Sequence, residues 1–131
     1  MNFRTYKLAV NFYKESQALK LPRHLKDQLD RASSSIALNL AEGRGRSTTK
    51  YQKHFFHIAF GSTRECQAIL TLLGYIDSGA WKTLDRLAAS LYRLIKNANE
   101  AAARQLSASC YLLISKLRNR LQTTAYRLLI Q

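Results

Sequence analysis

The chain has 131 residues and carries 21 Lys and Arg against 8 Asp and Glu, a formal net charge of +13. That length fits one domain, large enough to bury a core without disulfides or metals, and one Pro with five Gly is too little for a disordered or turn-rich all-β chain. The cationic excess favours nucleic acid or another polyanion as partner; a merely solvated basic surface is the plain alternative.

A first helix is expected from about residue 4 to residue 20, with Tyr6, Ala9, Val10, Tyr13 and Leu19 as its apolar face. Pro22 suits the first turn of the next helix, where a missing N–H costs nothing. Leu25, Leu29, Ala32, Ile36 and Leu40 then recur at steps of three and four, one face of a second helix. Gly43 and Gly45 are expected to stop that helix, with arginines complementing its carbonyl end. Ser47 or Thr48 can cap a third helix whose face reads Tyr51, Phe55, Ile58, Ser62, Glu65/Cys66, Ile69 and Leu73. Gly74 to Ala80 reads as a loop turning at Asp77-Ser78-Gly79. Trp81 opens a fourth helix with Leu84, Leu87, Leu91, Leu94 and Ile95 inward.

Short connections make sequential helices antiparallel, so the expectation is an all-α, up-down antiparallel four-helix bundle over residues 1–97. Residues 98–131 form a basic amphipathic helical extension of the same domain. In it Leu106, Cys110, Leu113, Leu117, Leu121, Thr124 and Leu128 keep helical steps, and Glu100 is the only acid beside Arg104, Lys116, Arg118, Arg120 and Arg127. Asn97 and Asn99 mark a weak break, so the segment either prolongs the fourth helix or forms a fifth. Cys66 and Cys110 both stand in apolar helical contexts and are expected as buried free thiols. No apolar signal core opens the chain, and runs such as Cys66–Ile76 are too short to span a bilayer; the expected setting is the cytoplasm, with no membrane partner.

Catalytic chemistry finds little support. His54 and His57 stand three apart on a helix but have no carboxylate at a helical step, and His24 is remote, so a metal site would be incomplete. Gly43-Arg44-Gly45 follows a helix rather than a strand and lacks a Gly-Lys-Ser/Thr continuation, which argues against a phosphate-binding loop. Ser33, Ser34 and Ser35 lie in mid-helix without a base. No enzyme activity, cofactor or metal is therefore expected.

Two other constellations remain. Arg31, Asn39, Glu42, Ser62 and Glu65 are polar groups set in apolar helical stretches, and antiparallel geometry brings Arg31 within range of Glu65; a specified pair and two solvated side chains are both compatible with the spacing. Arg44, Arg46, Lys50 and Lys53 occupy a glycine-bearing turn and the start of the next helix, where free N–H groups favour phosphate. Tyr51 and Phe55 interleave with them at core spacing. Arg86, Arg93, Lys96, Arg118 and Arg120 form a second basic set on the later helices.

The block Leu29-Asp-Arg-Ala-Ser-Ser-Ser-Ile-Ala-Leu-Asn-Leu-Ala-Glu-Gly43, then Ser47, Tyr51, Phe55, Ile58-Ala-Phe-Gly-Ser62 and Glu65, resembles the small four-helix-bundle proteins of 23S rRNA intervening sequences. That family also takes in the accessory variability determinant proteins of diversity-generating retroelements. Tyr6-Lys-Leu-Ala and Leu21-Pro agree, and the resemblance covers about residues 3 to 97. It implies a homopentameric barrel of bundles. For the retroelement branch it implies a non-catalytic accessory protein that binds a reverse transcriptase and template RNA, with an RNA–DNA hybrid as a further ligand, through a basic surface in support of mutagenic cDNA synthesis. The rRNA-insert branch is oligomeric and has no assigned role. Arg31, Asn39, Glu42, Ser62 and Glu65 fall on the family's polar motif positions, which are read as structural; Arg44 and Arg46 fall in a loop where basic residues are common. A pentamer would multiply the net charge fivefold, which favours a polyanion-binding role. The segment 98–131 extends past the end of many family members, adding either protomer contacts or basic surface.

Overall fold

The computed structural model describes the backbone of residues 3–129 and the side chains of residues 3–118. Its elements are α1 (Arg4–Gln17), α2 (Arg23–Gly45), α3 (Thr49–Leu72) and α4 (Gly79–Leu129), with no strand among the described residues. α4 continues without a break through Asn97 and Asn99, so no fifth helix is formed. The chain divides into two compact units, residues 1–98 and residues 99–131.

In the first unit, sequential helices run antiparallel, as side-chain pairs across their interfaces establish. Gln17 Nε2 donates to Asp30 between α1 and α2 at 2.9 Å, and the Ser35 and Ser62 hydroxyls meet at 3.0 Å between α2 and α3. Thr5 meets Ser90 at 2.6 Å and Thr83 donates to Glu15 at 3.1 Å, which lays α1 antiparallel along α4. The result is an up-down four-helix bundle. Its core unites Leu8 and Phe12 of α1, Leu29, Ile36 and Leu40 of α2, Phe56, Cys66, Ile69 and Leu70 of α3, and Leu84, Leu87, Leu91 and Ile95 of α4.

The inward faces of α2 and α4 are those the spacing predicts, apart from half-buried Leu25 and Leu94. Those of α1 and α3 are rotated by about one residue. α1 buries Thr5, Leu8, Ala9, Phe12 and Ser16 and turns Tyr13 outward; α3 buries Phe56, Ala59, Thr63, Cys66, Ile69 and Leu70 and turns Tyr51 and Ile58 outward. The rotation brings Thr5, Ser16, Ala59 and Thr63 inward beside Phe12 and Phe56 and moves Tyr13 and Tyr51 outward. The buried hydroxyls satisfy themselves on their own helices, Thr63 donating to the Ala59 carbonyl at 2.9 Å and Ser16 to that of Tyr13 at 2.7 Å.

Several boundaries also differ from expectation. α1 ends at Gln17, and Pro22 caps α2 rather than opening its first turn. α2 runs through both glycines to Gly45, and neither has a positive φ. Gly43 is instead a packing residue: a Cβ there would lie 2.8 Å from Cε1 of Phe56 and 3.0 Å from Cβ of Phe55. The glycine that does end a helix is Gly74, φ +74°, after α3. Tyr75 N–H bonds the Leu70 carbonyl and Gly74 N–H that of Thr71, the paired bonds of a Schellman stop. Ser78 then caps α4 by accepting the Trp81 N–H at 3.1 Å.

Candidate nucleic-acid interface

An up-down bundle places the starts of α1 and α3 at one end, together with the close of α2 and the Leu91–Ala98 stretch of α4. Contacts across that end are direct: the Arg44 guanidinium lies 5.6 Å from the ring centroid of Phe3, and that of Arg46 lies 5.2 Å from the ring of Phe55. By their positions along the helices, Arg44, Arg46, Lys50, Lys53, Arg93 and Lys96, all named from sequence, fall at this end. Arg4 and Lys7, which the sequence reading missed, join them from the first turn of α1. Within residues 1–98 the one carboxylate at this end is Glu42, and Arg46 is ion-paired with it. The opposite half of the bundle interleaves its cations with Glu15, Asp27, Asp30, Glu65, Asp77 and Asp85.

The backbone adds to the same field. α1 and α3 both begin here, neither Phe3 nor Thr48 gives its helix a side-chain cap, and neither first turn carries an acid. Free N–H groups and the positive ends of two helix dipoles therefore face outward among Arg4, Lys7, Lys50 and Lys53. Cations at a helix N-terminus oppose its dipole, so this arrangement costs local helix stability. It suits an anion held from outside.

Two exposed aromatic rings flank the cations. Tyr51 is 59% exposed and Tyr92 62% exposed. The spacing assigns Tyr51 to the core; the structure puts it on the surface in the stretch of α3 that also carries Lys50 and Lys53. A cationic rim with open aromatic faces matches what single-stranded nucleic acid uses, phosphate pairing together with base stacking. Arg86 is exposed on α4 nearer the Thr83–Glu15 contact, outside this cluster. Arg118 is exposed in the second unit, and the side chain of Arg120 lies outside the described residues.

The polar motif residues form a different surface. Arg31, Asn39 and Glu42 of α2 and Ser62 and Glu65 of α3 lie along the outer face of that helix pair. Arg31 and Glu65 form an exposed ion pair at 3.7 Å, the kind worth about 0–1 kcal/mol. Asn39 donates to the Ser35 carbonyl at 2.8 Å and to its hydroxyl at 3.1 Å, extending the Ser35–Ser62 contact. Leu38, Ile58 and Gly61 share this face, exposed, and nothing lies within 4 Å of a Cβ built on Gly61.

Among the described residues no three His, Cys, Asp or Glu side chains gather as a metal site. An open groove of about 490 Å³ beside α3 and α4, lined by Arg64, Gln67, Thr71, Leu72 and Trp81 among others, holds no carboxylate, histidine or cysteine. Cys66 is buried as expected, and burial, reinforced by the neighbouring Glu65 charge, pushes its thiol up to about 12. Cys110 is exposed, against expectation: no other element covers its stretch of α4. No described helix is long and apolar enough to cross a membrane.

The architecture and the polarised surface define a small all-α bundle protein with one strongly cationic end. Residues 2–97 match the family model of the 23S rRNA-intervening sequence protein, and the chain belongs to that family. No curated protein sequence matches the chain. No solved structure matches it.

Proposed function

We propose that the chain is a non-catalytic accessory protein of a diversity-generating retroelement. It holds template RNA, and the RNA–DNA hybrid made from it, at the cationic end of the bundle and docks the element's reverse transcriptase. The observation that supports this most is that end itself: within residues 1–98, Arg4, Lys7, Arg44, Arg46, Lys50, Lys53, Arg93 and Lys96 stand against one already paired carboxylate, beside two uncapped helix N-termini. A fold with no need of such a field would disperse these charges, as the other half of the bundle does.

Assembly into a homopentamer belongs to the same reading. The outer face of α2 and α3 exposes Leu38, Ile58 and Gly61 beside the motif polar groups, and a second copy would cover the apolar side chains while matching the polar ones. The alternative is an oligomeric bundle of the rRNA-insert branch with no retroelement partner, a reading that the family match favours directly.

Fluorescence anisotropy with labelled single-stranded RNA across a salt series tests the central statement. Binding should fall steeply and log-linearly with salt as condensed counterions are released. Undetectable binding at low ionic strength sinks it. Co-purification with a reverse transcriptase separates the two branches, and light scattering reads the number of copies.

A further inference from the structure

We propose that residues 99–118 are a self-pairing helix, which joins the same segment of a second copy in parallel register along a seam of Leu106, Cys110, Leu113 and Leu117. The seam is exposed in the single chain: Leu106 is 71% exposed, Leu113 60% and Leu117 56%, and Cys110 is open as well. A lone helix has no second layer to bury them against, and so many large apolar groups facing water call for a partner.

The spacing identifies what kind of partner. Steps of four, three and four residues are the a/d repeat of a coiled coil, whose knobs fit the holes of a helix with the same repeat. An identical copy supplies that repeat in register. Positions bordering the seam are Ser107, Ser109, Ile114 and Lys116, mostly small or apolar, so two copies meet with one cation on each chain near the contact. Arg104 and Arg118 lie further round the helix. A helix built for an anionic bilayer surface instead lines both borders of its apolar stripe with Lys and Arg, which reach up from it. Tyr111 and Leu112 fall outside the seam. The parallel orientation is the one that sets each seam residue, Cys110 included, opposite its own copy.

Cysteine chemistry provides the test in the full-length protein. In parallel register the two Cys110 residues face each other at a seam position, close enough for a disulfide. Cys66 stays silent, because burial keeps its thiol protonated. Mild oxidation with diamide should therefore yield a dimer on non-reducing gels, retained in Cys66→Ala and lost in Cys110→Ser. The double variant Leu113→Glu/Leu117→Glu should slow crosslinking about a hundredfold, the loss of a high effective concentration. It should leave the thermal midpoint of the bundle and its RNA affinity unchanged. Crosslinking that proceeds at the same rate in the double variant is collisional and overturns the proposal. So does sedimentation with phosphatidylserine vesicles that depends on Leu113 and Leu117 without crosslinking in solution, which would assign the seam to lipid. RNA binding measured on the same samples reports on the cationic end separately, and light scattering on the Leu113→Glu/Leu117→Glu variant shows whether the bundles still assemble without the seam.

Discussion

The two ends of the bundle are built from the same residue types in different arrangements. Within residues 1–98, one end sets Arg4, Lys7, Arg44, Arg46, Lys50, Lys53, Arg93 and Lys96 against Glu42 alone; the other mixes Lys14, Lys20, Arg23, Lys26 and Lys82 with Asp27, Asp30, Asp77 and Asp85. At the mixed end charges pair locally, as Lys26 does with Asp30, and the field outside largely cancels. At the cationic end it adds up. Net charge alone names no surface, whereas its distribution singles out the end on which the proposed RNA binding rests.

The largest expected effect comes from reversing that difference. Arg44→Glu with Lys50→Glu should lower the affinity for single-stranded RNA by about a hundredfold or more at moderate salt and flatten the salt slope by about two contacts. The matched change Lys14→Glu with Lys20→Glu should move affinity by about twofold or less, by screening over the bundle's length. Equal losses from both variants, measured by anisotropy, would mean that the protein binds through charge at large and that the cationic end is not a site.

A second contrast concerns how the end is held together. Gly43 lets Phe56 lie against the α2 backbone, so α3 begins close beside the close of α2. Gly43→Ala should lower stability by about 1–3 kcal/mol, because the Phe56 ring is buried and has little room to move. Gly61→Ala meets nothing within 4 Å in the single chain and should be neutral or slightly stabilising to the fold, through better helix propensity. Urea melts of both variants check the pair. If Gly61→Ala unfolds as readily as Gly43→Ala, the outer face of α2 and α3 is more crowded than described.

The aromatic contribution is of the same order. Tyr51→Ala and Tyr92→Ala should each weaken binding to single-stranded RNA by about 1–3 kcal/mol if a base stacks on the ring, and leave duplex binding nearly unchanged. Equal effects on single and double strands would make these rings bystanders to phosphate contact.

These residues also show what the sequence could reveal. The faces of α2 and α4 were legible because Leu and Ile recur there at unbroken steps of three and four. Those of α1 and α3 were not, because Thr5, Ser16, Ala59 and Thr63 form part of the inner face and carry little hydropathy. Tyr13 and Tyr51, the bulkiest residues nearby, pulled the expected face towards themselves. Gly43 reads as a stop signal because a close helix contact leaves no local mark. The basic turn from Arg44 to Arg46 was legible as a cluster of cations, and its junction with Arg4 and Lys7 was not, since only antiparallel packing brings the first turn of α1 to that end.

The last contrast lies in the core, where Cys66 sits between the ends. Its thiol has an ordinary value of 9.0 and is pushed up to about 12 in the fold, first by burial and then by the charge of Glu65. A raised folded value means that the unfolded chain loses this proton at lower pH than the native one. The contribution is therefore fully present below pH 9.0 and is lost as pH rises through the window up to about 12. Cys66→Ala removes the group, so its stability should decline less steeply with pH across that window than the parent's. The comparison of slopes cancels the lysines and tyrosines that titrate in the same range in both proteins. Chemical denaturation at pH 8 to 11 measures it, and parallel slopes would mean that the Cys66 thiol ionises as freely in the folded bundle as in the unfolded chain.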